Sequence, residues 1–243
     1  MNTIPTIILS KRSLTHDVIE LIVSNNTKVS FVPGQFLNLV VPQENNKIAL
    51  RAYSIANSPQ DTRDNKFRFA IKLSETGEGS KYLKSVNKGD ELKWSKPVGI
   101  FHSHNESTEP VYCFATGTGI APLLCMFEDL LESNPNLEVN VFLGFRYKVD
   151  IFWDKRLLDL EEKYINFDSN IILSKPAGYW EGLKGYVNQF ATDELDYKNG
   201  KFYLCGLPQM IEDLKKILES KGVPKTNIFE EKYTNPRIKN PVE

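Results

Sequence analysis

Residues 111–133 read VYCFATGTGIAPLLCMFEDLLES, and the change of rhythm inside this stretch decides the kind of fold the chain adopts. Val111–Ala115 is an unbroken apolar run of strand length, the pattern of a strand buried on both faces. Thr116, Gly117, Thr118 and Gly119 interrupt it. From Ala121 onward Leu123, Phe127, Leu130 and Leu131 recur at helical spacing. Pro122 falls in the first helical turn, where a missing N–H costs nothing. A strand, a glycine turn and a helix in that order form one unit of a parallel α/β sheet.

The same alternation continues downstream. EVNVFLGF (138–145), NIILS (170–174), KFYLCG (201–206) and NIFEEKY (227–233) read as strands. DKRLLDLEEKY (154–164) and PQMIEDLKKILESKG (208–222) read as helices, the latter closed by Gly222. This predicts a parallel sheet with helices on both faces. Upstream, to about residue 100, the period is that of strands. KFRFAIKL (66–73) alternates Phe67, Phe69, Ile71 and Leu73 against Lys66, Arg68 and Lys72. DVIELIVS (17–24) and FLNLVV (36–41) are strand-length apolar runs, and VPGQ, NSPQD and NKGD are turn signals. Only GSKYLKSV (79–86) looks helical. The fold class is therefore β + α/β: an antiparallel β-barrel followed by a parallel-sheet α/β domain. The polar stretch SHNESTEP (103–110) serves as linker, giving domains 1–105 and 106–243. TNPRIKNPVE (234–243) reads as a loose tail.

Composition narrows the function. The chain has 243 residues, 30 basic and 31 acidic, and a formal net charge of -1, which argues against nucleic acid or a polybasic membrane contact. No apolar run approaches membrane-spanning length, and MNTIPTIILSKRS lacks the pattern of a signal peptide. Cys113, Cys125 and Cys205 are an odd, widely spaced set in apolar segments, unlike a disulfide framework or a zinc or iron–sulfur site. The expectation is a soluble, monomeric protein of the reducing cytoplasm, with no metal.

ATGTGIAP (115–122) lies where a strand turns into a helix, the edge of a parallel sheet at which ligands bind. Its glycines let the backbone approach a pyrophosphate, and the helix start favours the anion. Alone the signal is weak, since many α/β proteins have two glycines at such a turn. The third glycine of the dinucleotide fingerprint is missing, Pro122 stands near its place, and the next strand ends in LGFR rather than in an acid. An ordinary Rossmann dehydrogenase is disfavoured. RAYSIANSP (51–59) adds an arginine, a tyrosine and a serine to a strand running into a turn. Residues two apart on a strand share a face, so Arg51 and Tyr53 point the same way and Ser54 begins the turn. By itself that is a common surface pattern. Cys205, before Gly206 in YLCGLPQM, reads by itself as a small buried residue.

Taken in order, RAYS, GEGSKYL, GTGIAP, LGFR…DIF, GYWEGLKGYV, CGLPQM and the terminal EKY resemble the ferredoxin–NADP reductase family of flavoproteins, over nearly the whole chain. The resemblance makes the barrel a flavin-binding domain and RAYS its cradle. Arg51 would meet the flavin phosphate, Ala52 would lie within the cradle strand, Tyr53 would pack on the isoalloxazine, and Ser54 would hydrogen-bond near its reactive nitrogen. Gly79 and Ser80 would complete the phosphate site. Thr116, Gly117, Thr118 and Gly119 would hold the pyridine-nucleotide pyrophosphate. Cys205 and Gly206 would lie beside the nicotinamide, with no covalent step implied. Glu231 and Tyr233 match the C-terminal residues that approach the flavin, although the chain runs ten residues past Tyr233. The implied catalytic set is Ser54, Cys205 and Glu231.

The implied cofactor is FAD rather than FMN, with NADH or NADPH as electron donor. Arg146 and Lys175 are the candidate ligands for a 2′-phosphate, while the arginine pattern of strictly NADP-dependent members is not visible, which leans to NADH. The implied activity passes electrons from NAD(P)H through FAD to a separate one-electron carrier: ferredoxin, flavodoxin or an oxygenase component. A flavin reductase that uses free flavin as substrate is the alternative, and a non-enzymatic flavin or nucleotide carrier is a third. His102 and His104 fit half a metal site at most. Trp94, Trp153 and Trp180 read as packing residues. KKILESKGVPK (215–225) reads as a solvated helix face, with docking of an acidic carrier as the other reading.

Overall fold

The structure is a computed structural model and describes residues 3–59, 65–103 and 108–233. His104, the middle of the 103–110 stretch and the tail 234–243 lie outside the described residues. The chain forms two compact units. One comprises Met1–Ser107, Ala121–Pro135 and Phe152–Arg156; the other comprises Thr108–Ile120, Asn136–Ile151 and Leu157–Glu243.

The first unit contains β1 (Ile4–Ser13), β2 (Val18–Ser24), β3 (Phe36–Pro42), β4 (Ile48–Ser54), β5 (Lys66–Lys72), α1 (Glu78–Ser85) and β6 (Glu91–Trp94). Its six strands run antiparallel in the order β4-β3-β6-β1-β2-β5. The edges of this sheet do not stay open. Just past β4, the Ala56 N–H donates to Arg68 O on β5 at 2.9 Å. The Asn57 side chain accepts the Arg68 N–H at 2.8 Å and donates to Lys66 O at 3.2 Å. These bonds satisfy edge groups that an open sheet leaves unpaired and close the barrel. Phe67, Phe69 and Ile71 point inward as the alternation requires, each 1% exposed or less. Phe69 stacks on Trp94 at 4.6 Å, and the Trp94 indole N–H donates to Thr6 Oγ1 at 3.1 Å. Each such buried aromatic contributes about 2–3 kcal/mol of burial free energy. The Lys11 ammonium donates to Leu83 O at 3.0 Å and also to Val86 O, so β1 caps the carbonyls at the end of α1.

Two later segments belong to this unit. Most of α2 (Ile120–Ser133) does, and Glu128 on it accepts the Ser58 N–H at 3.2 Å and pairs with Arg156, which also donates to Ala56 O at 2.9 Å. Trp153, whose φ is 59°, donates its indole N–H to the buried Glu20 at 2.9 Å. Glu20 also accepts from Arg12 at 2.7 Å and lies 3.4 Å from Arg68. Burial alone would raise the Glu20 carboxyl, but the Arg12 and Trp153 hydrogen bonds and the Arg68 and Arg12 charges hold it below its ordinary value.

The second unit contains β7 (Val111–Thr116), β8 (Val139–Phe145), most of α3 (Asp154–Lys163), β9 (Phe167–Leu173), β10 (Leu183–Lys184), β11 (Lys201–Gly206), α4 (Pro208–Ser220) and β12 (Ile228–Lys232). All neighbouring strands are parallel, in the order β10-β9-β8-β7-β11-β12. Phe114, Phe202, Leu204, Ile211, Leu214 and Leu218 are its fully buried centre, each 0% exposed. The α4 stripe Ile211, Leu214, Leu218 follows helical spacing and covers β11.

Candidate functional site

In the second unit the chain steps from β7 outward through β8, β9 and β10, then returns to place β11 on the other side of β7. The strand order therefore reverses between β7 and β11, and ligands of open α/β sheets bind at that switch point, beyond the strand carboxyl ends. Those ends are Thr116–Gly119 and Cys205–Leu207, two of the motifs singled out by sequence.

The two turns are built against each other. Thr116 Oγ1 accepts the Leu207 N–H at 3.0 Å. A methyl on Gly206 would lie 2.3 Å from Thr116 Oγ1, and Gly206 has a φ of 127° that side chains rarely adopt. A methyl on Gly119 would lie 2.4 Å from the Cys205 carbonyl oxygen. Gly117 differs: its φ is 52°, and a methyl there would meet nothing within 4 Å. Gly117 and Thr118 are half-buried and form one 3₁₀ turn ahead of α2. Thr116 thus holds the turn in place, while Gly117 faces open space.

The last strand completes this edge. β12 pairs with β11 so that Cys205 lies opposite Glu231, and the Tyr233 N–H donates to Gly206 O at 2.8 Å. Burial pushes the Cys205 thiol well up, the Glu231 charge adds to that, and the Tyr233 side-chain hydrogen bond opposes it. The thiol stays protonated at neutral pH and is a poor nucleophile. Arg146 and Lys175 are exposed just beyond β8 and β9, tied by a Lys175 N–H to Arg146 O bond of 2.9 Å. They bring two cations to the same edge of the sheet. Trp180 lies against Gly182, where a methyl would come 2.5 Å from the ring, and donates to Leu183 O at 2.9 Å.

In the first unit β4 places Arg51 and Tyr53 on one face, both half-buried, with Ala52 exposed on the other and Ser54 7% exposed at the strand end. Tyr53 meets Trp94 edge-on at 6.2 Å. Burial pushes its hydroxyl up to about 12, partly offset by the Arg51 charge, so the proton remains on Oη. The start of α1 packs onto this pair, since a methyl on Gly79 would lie 2.9 Å from Arg51 Cγ and 3.1 Å from Tyr53 Oη. Ser80 Oγ accepts the Ser74 N–H at 2.9 Å and so fixes the loop before the helix. A guanidinium, a serine hydroxyl and helix-start N–H groups form a donor set suited to a phosphate. The sequence reading missed Glu78, which sits inside the GEGS motif and pairs with Arg51 at 3.2 Å. The only signal was an acid directly between Gly77 and Gly79.

On the lysine-rich face, Lys215 pairs with Glu230 at 2.8 Å and Lys221 pairs with Asp193, which leaves less free positive charge for docking. Among the described residues no group of three or more His, Cys, Asp or Glu is placed to hold a metal ion. All three cysteines are free and buried.

The oxidoreductase FAD-binding domain model matches residues 5–103, and the oxidoreductase NAD-binding domain model matches residues 114–216. Ferredoxin–NADP reductase B of Sorangium cellulosum is 30% identical over 211 residues, covering 84% of this chain and 85% of that protein. The chain belongs to the ferredoxin–NADP reductase family. The anthranilate 1,2-dioxygenase electron transfer component of Acinetobacter baylyi is also 30% identical, over 224 residues. That match covers 91% of this chain and 64% of the relative, so the chain spans somewhat less than two thirds of it. Among solved structures, the cytochrome P450 reductase GcoB of Amycolatopsis superposes with a TM-score of 0.88 at 23% identity, covering 96% of this chain and 70% of that one. The likeness establishes a shared fold. Family members of this kind carry an FAD-binding and an NAD-binding domain, and among the described residues no helix is long and apolar enough to cross a membrane.

Proposed function

We propose that the protein is an NAD(P)H-dependent flavoprotein reductase that passes electrons through bound FAD to a separate one-electron carrier: a ferredoxin, a flavodoxin or an oxygenase component. The observation that carries this reading is the occurrence, in one chain, of the Arg51–Ser80 phosphate cradle and of a glycine turn at a parallel-sheet switch point. Bound flavin supplies the ability to take two electrons as a hydride and release them singly. The residues supply binding and charge. Arg51, with Gly79 and Ser80 at the start of α1, holds phosphate. Tyr53, neutral at Oη, offers a flat apolar face, and Ser54 offers a hydroxyl at the strand end. Gly117 and Thr118 present N–H groups to pyrophosphate, Thr116 and Gly119 fix that turn, and protonated Cys205 shapes the nicotinamide site with Gly206. Glu231 places negative charge beside the thiol, and Tyr233 fixes the end of β12. Arg146 and Lys175 give a 2′-phosphate two partners, so the coenzyme preference turns on them.

The functional domains in this reading are 1–105 for flavin and 106–243 for nucleotide, in a monomeric cytoplasmic protein. An absorption spectrum of the purified protein, then anaerobic titration with NADH and NADPH in parallel, tests it. A yellow protein bleached by either coenzyme supports the reductase. A colourless protein that reduces added free flavin replaces it with a flavin reductase. Failure to reduce ferricyanide with both coenzymes leaves a non-enzymatic carrier.

A further inference from the structure

We propose that Glu78 is an internal competitor for the flavin phosphate and sets how tightly a phosphorylated flavin is held; this rests on the reading of Arg51 as the phosphate ligand. Glu78 Oε2 meets Arg51 Nη2 at 3.2 Å, while Arg51 Nη1 donates to Leu50 O at 2.8 Å. Both arms of the guanidinium fork already have partners within the protein. Glu78 is also the first residue of α1, whose N-cap, Gly77, supplies no side-chain acceptor. A carboxylate in a first helical turn is favoured by the unpaired N–H groups and by the helix dipole. The one side chain therefore engages both sources of positive potential that a phosphate at this place would use.

Charge decides what this does to binding. A guanidinium beside a carboxylate sums to zero, so an anion meeting the intact pair finds little net attraction and a close like charge. Phosphate capture becomes an exchange of one anion for another. That exchange is open to solvent, since the Arg51 and Glu78 side chains are 35% and 42% exposed. It also leaves no carboxylate stranded. Lys81, three residues further along α1, lies on the same helix face, where opposite charges pair. Glu78 and Lys81 line one cleft of about 350 Å³ together with Val41, Pro42 and Tyr82. Released from Arg51, Glu78 has a second cation within reach of its own helix turn. The site thus discriminates between phosphorylated and unphosphorylated flavin less sharply than the bare cradle would.

Equilibrium titration of the flavin-free full chain with FAD, FMN and riboflavin, read by flavin fluorescence, tests the competition. Glu78→Gln should tighten FAD and FMN roughly three- to fivefold, the scale of one exposed ion pair, and leave riboflavin unchanged. Glu78→Ala should do the same, and combination with Arg51→Ala should shrink the gain. Weaker FAD binding in Glu78→Gln would show that the carboxylate orients Arg51 instead, and an equal gain for riboflavin would trace the effect to the fold; either overturns the proposal. Arg51→Ala separates the two readings. If it weakens FAD while both Glu78 variants match the wild type, only the competition fails. If it leaves FAD affinity unchanged, the phosphate cradle itself fails.

Discussion

Gly117 and Gly119 stand two residues apart in one turn, and the structure requires glycine at each for a different reason. Alanine at both positions separates those reasons. At Gly119 the added methyl would lie 2.4 Å from the Cys205 oxygen, 2.7 Å from its carbonyl carbon and 3.0 Å from the Gly206 nitrogen. Ordinary contact starts near 3.4 Å, and all three atoms are backbone at the end of β11, held in the sheet between β7 and β12. They cannot turn aside as a side chain would. The turn must retreat by about 1 Å, and overpacking of this kind costs about 1–3 kcal/mol. At Gly117 the methyl has space, and only the left-handed backbone is disfavoured, at about 1 kcal/mol.

The two variants should therefore separate in both stability and binding. By circular-dichroism melting, Gly119→Ala, at about 2 kcal/mol in the middle of its range, should lose about 4–8 °C and Gly117→Ala about 2–4 °C, on the slope of a chain of this size. Retreat of the turn also displaces its N–H donors. NADH titration by fluorescence should show affinity falling on the order of tenfold in Gly119→Ala and by less in Gly117→Ala. The reasoning is refuted if Gly119→Ala melts and binds like the wild type, or if Gly117→Ala is the more damaged of the two.

Two further substitutions probe the buried charges. Glu20→Ala strands the Trp153 indole N–H inside the first unit, whereas Arg12 and Arg68 can turn toward water; the loss should be about 2–3 kcal/mol by denaturant titration, and a loss under about 0.5 kcal/mol would contradict it. The Glu20 carboxyl is held below its ordinary value of 4.5, so its stabilisation is complete above that pH and is lost as pH falls through the folded value. The wild type should then lose stability more steeply than Glu20→Gln as pH drops below about 4.5, and parallel acid profiles would sink the assignment. Cys205, fully buried and protonated, should resist alkylation at neutral pH until the protein unfolds. Cys205→Ser should still be reduced by coenzyme within roughly tenfold of the wild-type rate; complete loss in a folded variant would give the thiol a covalent role.

The second half was legible because β7 and β11 are buried on both faces and so appear as near-continuous apolar runs, with glycine turns and periodic helices between the strands. β9 starts three residues before the run NIILS that marks it in the sequence, because Asp168 and Ser169 break its apolar pattern at the start. β10 is only Leu183–Lys184, too short to carry a period. In the first half β5 alternates cleanly, but β1 carries Pro5, Lys11 and Arg12, which break its apolar pattern at both ends. The Trp153–Glu20 bond joins residues far apart in the sequence, with no local pattern at either end. The Arg51–Glu78 pair was hidden differently. Both residues lay inside quoted motifs, but only the fold of β4 against α1 brings the acid to the arginine.

The strand register at the end of the chain explains why a cysteine suits position 205 better than a charged or bulky residue. β11 lies inside the sheet between β7 and β12, its residues from Phe202 to Gly206 are all buried, and Cys205 is 0% exposed. The position opposite it on β12 is Glu231, one residue before Lys232, whose ammonium is drawn away to Glu212 and Glu230. The Glu231 charge therefore acts on the thiol in the direction that keeps it protonated. A thiolate would require two negative charges in adjoining strands with burial opposing one of them. In the proposed reading a nicotinamide held at this edge would gain positive charge on giving up hydride, and a carboxylate beside a neutral, polarisable sulfur would favour that charge without offering a nucleophile. Replacing Glu231 with Gln should therefore slow reduction by NADH more than it weakens NADH binding, as stopped-flow rates and equilibrium titration would show. An equal fall in both would place the role of Glu231 in the ground state instead.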